Sequence, residues 1–312
     1  MTSDRVAHSY LFTGPEGVGK ERMARTFFAA LQCVEQEAEA CGRCSPCERV
    51  ARGVHPDVTV LEPDGRFIKI AAVRELQKKT RYAPIEGRWK CILVREADRL
   101  HETAGNALLK TLEEPAGKTV FVLVSSNPQL LLPTITSRCQ RVSFGALSHG
   151  DLQGVLTGDH GVAPADAIAA AGMANGSVSA ALDALDGDAV QFRSEWLGCI
   201  ASLGTHAPHT LLEIADEVAG DKARFELHLE LLLLWYRDLL LVAGGAALEG
   251  VANQDHLETL QRIGSGANVD HLLTEVGLIA ESLADRRFNV NARLTLERLL
   301  LRLSRGTAMR GA

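Results

Sequence analysis

The chain has 312 residues, 46% of them hydrophobic, and a formal net charge of −6 at pH 7. That length exceeds one ordinary domain of ~100–200 residues and can bury a substantial core, so two or three domains are expected. The acidic balance excludes a stand-alone DNA-coating protein, which would need surplus Lys and Arg for its phosphate contacts.

The opening Met1-Thr2-Ser3-Asp4-Arg5 carries charge early and is followed by no apolar h-region. No signal peptide is expected, and the cytoplasm is the expected location. Through about residue 145, short apolar runs at 9–13, 58–61, 90–94, 120–125 and 141–144 read as strands. They alternate with helical patterns at 20–31, 71–81 and 103–113. Such alternation implies a parallel α/β sheet. From Ser148 onward the strand signals vanish, and Ala/Leu-rich helical periodicity runs to Leu303 with breaks at Gly187-Asp188, 204–208 and Gly244-Gly245. The expected division is an α/β P-loop domain over 1–145 that contains a cysteine module at 33–47, a small helical lid over 146–187, an all-helical domain over 188–306, and a flexible tail at 307–312. The apolar run 227–242 is expected to be a buried helix, because His228, Glu230, Arg237 and Asp238 would be costly inside a bilayer.

Gly14-Pro15-Glu16-Gly17-Val18-Gly19-Lys20 follows the first strand and opens a helix, the context in which backbone N–H groups and a lysine cradle nucleotide phosphates. Gly14, Gly17, Gly19 and Lys20 are therefore candidates for a nucleotide site holding ATP or ADP. Two departures impair it. A hydroxyl that would ligate Mg²⁺ is expected after the lysine, but Glu21 stands there; and the strand 91–94 ends in Arg95-Glu96 rather than an acidic pair. Phosphoryl transfer would lack its main charge stabilisation, so binding without turnover, or a loop retained only for its shape, is expected.

Seven cysteines occur. Cys33, Cys41, Cys44 and Cys47 are bunched at a spacing suited to a metal rather than to disulfides in a reducing compartment. Four thiolates from one short excursion can close a tetrahedral Zn²⁺ site; an iron–sulfur cluster or redox thiols also fit the C-x-x-C-x-x-C run. Cys91, Cys139 and Cys199 read as ordinary buried residues. Arg74, Lys78 and Arg81 recur at i, i+4 and i+7 with Lys79 beside them. This is either a solvated helix face or a face turned to DNA phosphates.

The run Asn106-Ala107-Leu108-Leu109-Lys110-Thr111-Leu112-Glu113-Glu114-Pro115, then Ser126-Asn127-Pro128 and Ser137-Arg138-Cys139, resembles the bacterial DNA polymerase III clamp-loader AAA+ family, nearest its delta-prime branch. With the phosphate loop and the cysteines, the resemblance covers nearly all of 1–144. It is looser afterwards, through Gly176-Ser177 and the run from Asn289 and Val290 to Glu297. It implies an AAA+ fold, structural zinc on Cys33, Cys41, Cys44 and Cys47, and a C-terminal collar packed against neighbouring subunits. The implied partners are the gamma/tau motor and delta subunits and, indirectly, the sliding clamp and primed DNA. The motor pattern would need a hydroxyl at 21, Asp at 95 and an arginine near 179, where this chain has Glu21, Arg95 and Ser179. The family's Ser-Arg-Cys arginine reaches a neighbour's ATP, so Arg138 is the implied catalytic residue, acting in trans as an arginine finger. Two rival readings stand beside this one. A competent ATPase, whether gamma/tau-type motor or other P-loop enzyme, is opposed by those three substitutions. A zinc-dependent nucleic-acid module is opposed by the acidic charge.

Overall fold

The computed structural model describes residues 6–36, 39–285 and 291–308. Two compact units result, 1–146 and 147–312. The expected signal-free N-terminus, Asn289 and Val290 of the resemblance, and 309–312 of the expected tail lie outside the described residues.

The first unit runs β1 (Ser9–Thr13), α1 (Lys20–Gln32), α2 (Ser45–Ala51), β2 (Val58–Leu61), α3 (Ile70–Thr80), β3 (Lys90–Val94), α4 (Glu102–Glu113), β4 (Thr119–Ser125), α5 (Pro133–Thr136) and β5 (Gln140–Ser143). All four strand pairings are parallel, in the order β2-β3-β4-β1-β5. Parallel strands need helical crossovers, and these cover both faces, which is why the central strands read as unbroken apolar runs. Ile92 and Val94 point to the face packed by Val73, Leu76, Leu108 and Leu112. Cys91 and Leu93 point to the other, against Ala24, Phe28 and the cysteine module. Helix α2 had no periodic signal of its own; Pro46 in its first turn, Cys44 at its N-cap and buried Cys47 within it set it.

The second unit is helical throughout its described residues: α6 (His149–His160), α7 (Pro164–Met173), α8 (Val178–Asp186), α9 (Ala189–Ala201), α10 (Pro208–Gly220), α11 (Phe225–Ala243), α12 (Leu257–Gly264), α13 (Val269–Asp285) and α14 (Ala292–Ala308). It holds two apolar cores. Leu152, Leu156, Ala167, Ala170, Ala171 and Ala181 form the smaller; the larger surrounds Trp196, Leu232, Trp235, Tyr236 and Leu300. Helix α11 contains the 227–242 run and buries Leu229, Leu231, Leu232 and Trp235, and no described helix is long and apolar enough to cross a membrane. Helix α14 extends to Ala308, so positions 307 and 308 of the expected tail are helical here.

Between the two cores lies a buried polar cluster that sequence reading missed. Arg193 of α9 is 0% exposed and donates to Asp255 at 2.6 and 2.8 Å and to Asn253 Oδ1 at 2.7 Å. Asp238 of α11 in turn accepts from Asn253 Nδ2 at 2.7 Å and from the Asn253 backbone N–H at 2.8 Å. Gly172 of α7 completes the joint: a Cβ there would lie 2.7 Å from the Ala252 carbonyl.

Candidate functional site

The phosphate loop sits where β1 hands over to α1, at the C-terminal edge of a parallel sheet, the usual ligand edge of such sheets. Its backbone demands glycine. Gly14 has φ 145°, and a Cβ would fall 2.2 Å from the Phe144 carbonyl; Gly17 and Gly19 lie at φ 74° and 89°. Lys20 is only 5% exposed. Its Nζ donates to the Gly14 carbonyl at 2.7 Å, to the Pro15 carbonyl, and to Ser126 Oγ at 3.2 Å. Burial lowers its pKa, against the opposing pull of Glu16 and Asp98. Asp98 Oδ1 accepts from Ser125 Oγ at 2.6 Å and so braces the turn that carries Ser126. Neither Asp98 nor Ser126 was singled out for this site in the sequence; the signal available was the acidic residue shortly after β3 and the Ser-Asn-Pro run.

The two departures from the nucleotide motif meet in space. Arg95 Nε lies 2.8 Å from Glu21 Oε2, and Arg95 Nη1 donates to Glu62 at 2.7 Å. The other Glu21 oxygen accepts from Arg25 at 2.9 and 3.0 Å. Where a hydroxyl and an aspartate would hold Mg²⁺, a carboxylate and a guanidinium neutralise each other. Chemically, the corner already contains its cation.

Arg138 lies in the short connection between α5 and β5, with its side chain 37% exposed. Its Nε donates to Glu113 Oε1 at 2.6 Å and its Nη1 to the Thr134 carbonyl at 2.9 Å, while its own carbonyl accepts from Ser9 Oγ at 2.6 Å. The backbone is anchored and the head group is held by a solvent-exposed carboxylate, a pairing worth little in water.

The four cysteines converge. Their sulfurs all lie within 4.8 Å of one another, with Cys33 and Cys44 at 4.0 Å; Cys33, Cys44 and Cys47 are buried and Cys41 half-buried. Tetrahedral bonds of about 2.3 Å would set sulfurs about 3.8 Å apart, so a small contraction closes the site. The Gln36 N–H points at Cys33 Sγ and the Cys44 N–H at Cys41 Sγ, each at 3.3 Å, an arrangement that favours thiolates. Burial pushes the Cys33 thiol up, but backbone donors and the Cys41 thiol outweigh it and bring it to about 6. Cys47, chiefly through burial, is pushed up to about 12. The set can hold one metal ion with no position left for water. No other group of three or more His, Cys, Asp or Glu of this kind occurs among the described residues.

Arg74 and Lys78 lie exposed on α3, with Arg81 at its C-cap; Lys78 pairs with Glu75 at 2.6 Å. Helix α3 packs on the sheet face opposite the cysteine module. Of the three cysteines read as buried, Cys91 is, whereas Cys139 and Cys199 are half-buried.

A five-stranded parallel sheet with a phosphate loop at its edge, followed by a helical unit, defines a P-loop protein of the AAA+ class. The family model described as DNA polymerase III, delta subunit, matches residues 1–148, and its C-terminal counterpart matches 187–305. DNA polymerase III subunit delta' of Bacillus subtilis is 31% identical over 98% of this chain and 93% of its own length, and that of Pseudomonas aeruginosa is 45% identical over 43% of this chain and 42% of its own. A solved gamma subunit-related protein from Thermotoga maritima aligns over 96% of this chain and 95% of its own at 19% identity and TM-score 0.38. The chain belongs to the delta-prime family of DNA polymerase III subunits.

Proposed function

We propose that this chain is the non-motor subunit of a bacterial clamp loader, assisting ATP-driven loading of a sliding clamp onto primed DNA in the cytoplasm, with gamma/tau and delta as its direct partners. The Glu21–Arg95 pair carries the reading: it occupies the metal corner of the chain's own nucleotide site while Arg138 stays at an exposed edge. A P-loop so altered retains Lys20 and the α1 N-terminus, so nucleotide binding without turnover is compatible with it. Zinc is the metal best suited to the four thiolates, closing the excursion rather than doing chemistry. Residues 146–187 would form the lid and 188–306 the collar against neighbouring subunits, and Arg74, Lys78 and Arg81 would face DNA.

Arg138 would leave Glu113 for the γ-phosphate of ATP held by an adjacent motor subunit, stabilising charge in the transition state. Exchange of one exposed anion for another costs little, so Glu113 serves as a resting partner. The test reconstitutes gamma/tau and delta with this subunit as wild type, Arg138→Ala or Arg138→Lys, at matched assembly. Alanine lowers DNA-stimulated ATP turnover and clamp loading, and lysine rescues poorly because it lacks the planar fork. Unchanged turnover with intact assembly would remove the finger role.

A further inference from the structure

A cavity of about 730 Å³ opens at the opposite end of the sheet from the phosphate loop, lined by the start of β2 and β3, the end of α3 and the loop that follows it. Its size is that of a binding pocket rather than a packing defect. Strand β2 is an edge strand, paired only with β3 among the described residues, and so presents backbone groups on its outer side.

The rim is built, not slack. Asp57, 3% exposed, accepts the backbone N–H groups of Ile85 at 2.6 Å, Glu86 at 2.9 Å and Gly87 at 2.7 Å. Gln32 holds the next residues, accepting from the Arg88 N–H at 3.1 Å and donating to the Trp89 carbonyl at 2.6 Å. A loop tied down by two buried side chains nevertheless keeps Tyr82 and Ile85 74% and 75% exposed, the most exposed large hydrophobic side chains among the described residues. Val58, Val60 and Ile92 supply further apolar lining, and Lys78, Lys79 and Lys90 provide the cations. Asp57 is the only carboxylate in the lining, and its oxygens are committed to the loop.

We propose that this edge is a docking site for an extended, acidic segment of a partner protein. The segment adds alongside β2, seats an apolar side chain against Tyr82 and Ile85, and sets its carboxylates opposite Lys79 and Lys90. Edge addition supplies main-chain hydrogen bonds, and alternate side chains supply the specificity. The charge complementarity selects an acidic segment. A nucleic acid would use the lysines but gain nothing from Ile85 or the aliphatic lining.

Fluorescence anisotropy with the full chain tests this, using a labelled short peptide that alternates glutamate with valine around one phenylalanine. The same peptide with lysine for glutamate and a short oligothymidylate serve as rivals. Saturable binding of the acidic peptide is expected, absent for the basic one. Ile85→Ser, and separately Lys79→Glu with Lys90→Glu, each weaken it at least about tenfold, equivalent to about 1.4 kcal/mol. All three positions line an open cavity, and folding is checked by near-UV circular dichroism. No saturable binding up to about 1 mM, an affinity of only about 4 kcal/mol, overturns the proposal. So does oligothymidylate binding that is weakened by the lysine variants while the acidic peptide is indifferent to them; that outcome assigns the lysines to nucleic acid.

Discussion

Replacing Arg193 by alanine should be among the most damaging single changes in the second unit. The guanidinium is fully buried and makes three hydrogen bonds, two to the Asp255 carboxylate and one to buried Asn253. Burial alone would raise the Asp255 pKa, but its bonds to Arg193 hold it below the ordinary carboxylate range. Truncation leaves a partly buried anion and a buried amide oxygen without their donor, and opens a void beside Gly172. Breaking a buried pair from one side costs about 3–5 kcal/mol. That is a large share of a total stability of about 5–15 kcal/mol. Arg193→Met separates the causes: it fills most of the void but leaves the same acceptors bare, so most of the loss should persist. Adding Asp255→Asn to Arg193→Met should recover part of it, since the stranded charge is gone. Urea unfolding followed by tryptophan fluorescence reads the cost, with Trp196 on the same helix as Arg193 and Trp235 in the same core. A loss below about 1 kcal/mol for Arg193→Ala, the size of an exposed pair, would refute the account of a dry, committed network.

Metal analysis of the purified chain should give one zinc per molecule, and Cys44→Ser should lose metal and unfold the excursion around α2; full metal content in Cys44→Ser would exclude the four-thiolate site. ATP turnover by the isolated chain should not exceed that of Lys20→Ala, because Glu21 and Arg95 neutralise each other where Mg²⁺ would act; Mg²⁺-dependent hydrolysis abolished by Lys20→Ala would reinstate the motor reading. Acid should release the 85–87 loop. Burial would raise the Asp57 pKa, but the Ile85, Gly87 and Glu86 N–H groups outweigh it and lower it. Its contribution is therefore present above the unfolded carboxylate pKa of about 3.9 and is lost as pH falls through the folded value. Hydrogen exchange of those three amides should accelerate there in wild type and already at neutral pH in Asp57→Asn, whose amide group turns a donor toward donors. Equal protection in both would show that Asp57 does not hold the loop.

The motifs that are local in sequence were legible because their physics is local. A glycine loop between a strand and a helix, four cysteines within one excursion, and apolar runs at strand or helix period each declare themselves within a few residues. From these came the parallel sheet, the helical second half, the altered glycine loop and the cysteine cluster, and with them the family resemblance. Helix α2 escaped because it is too short to show a period.

What joins residues across the chain was decided only by the tertiary structure. Glu21 and Arg95 looked like two independent losses; the pairing of β1 and β3 with β4 brings them within 2.8 Å and makes them one exchange of charges. Arg138 and Glu113 come from different elements that meet at 2.6 Å. No local signal marks Arg193 or Asp57: Arg193 meets its partners because α9 turns it inward, and Asp57 because the 85–87 loop brings three amides to it. Helical and strand periods fix which face a side chain occupies. Which partner faces it depends on the packing of distant elements, and that selection is what turns a charged residue into a lock, a brace or a site.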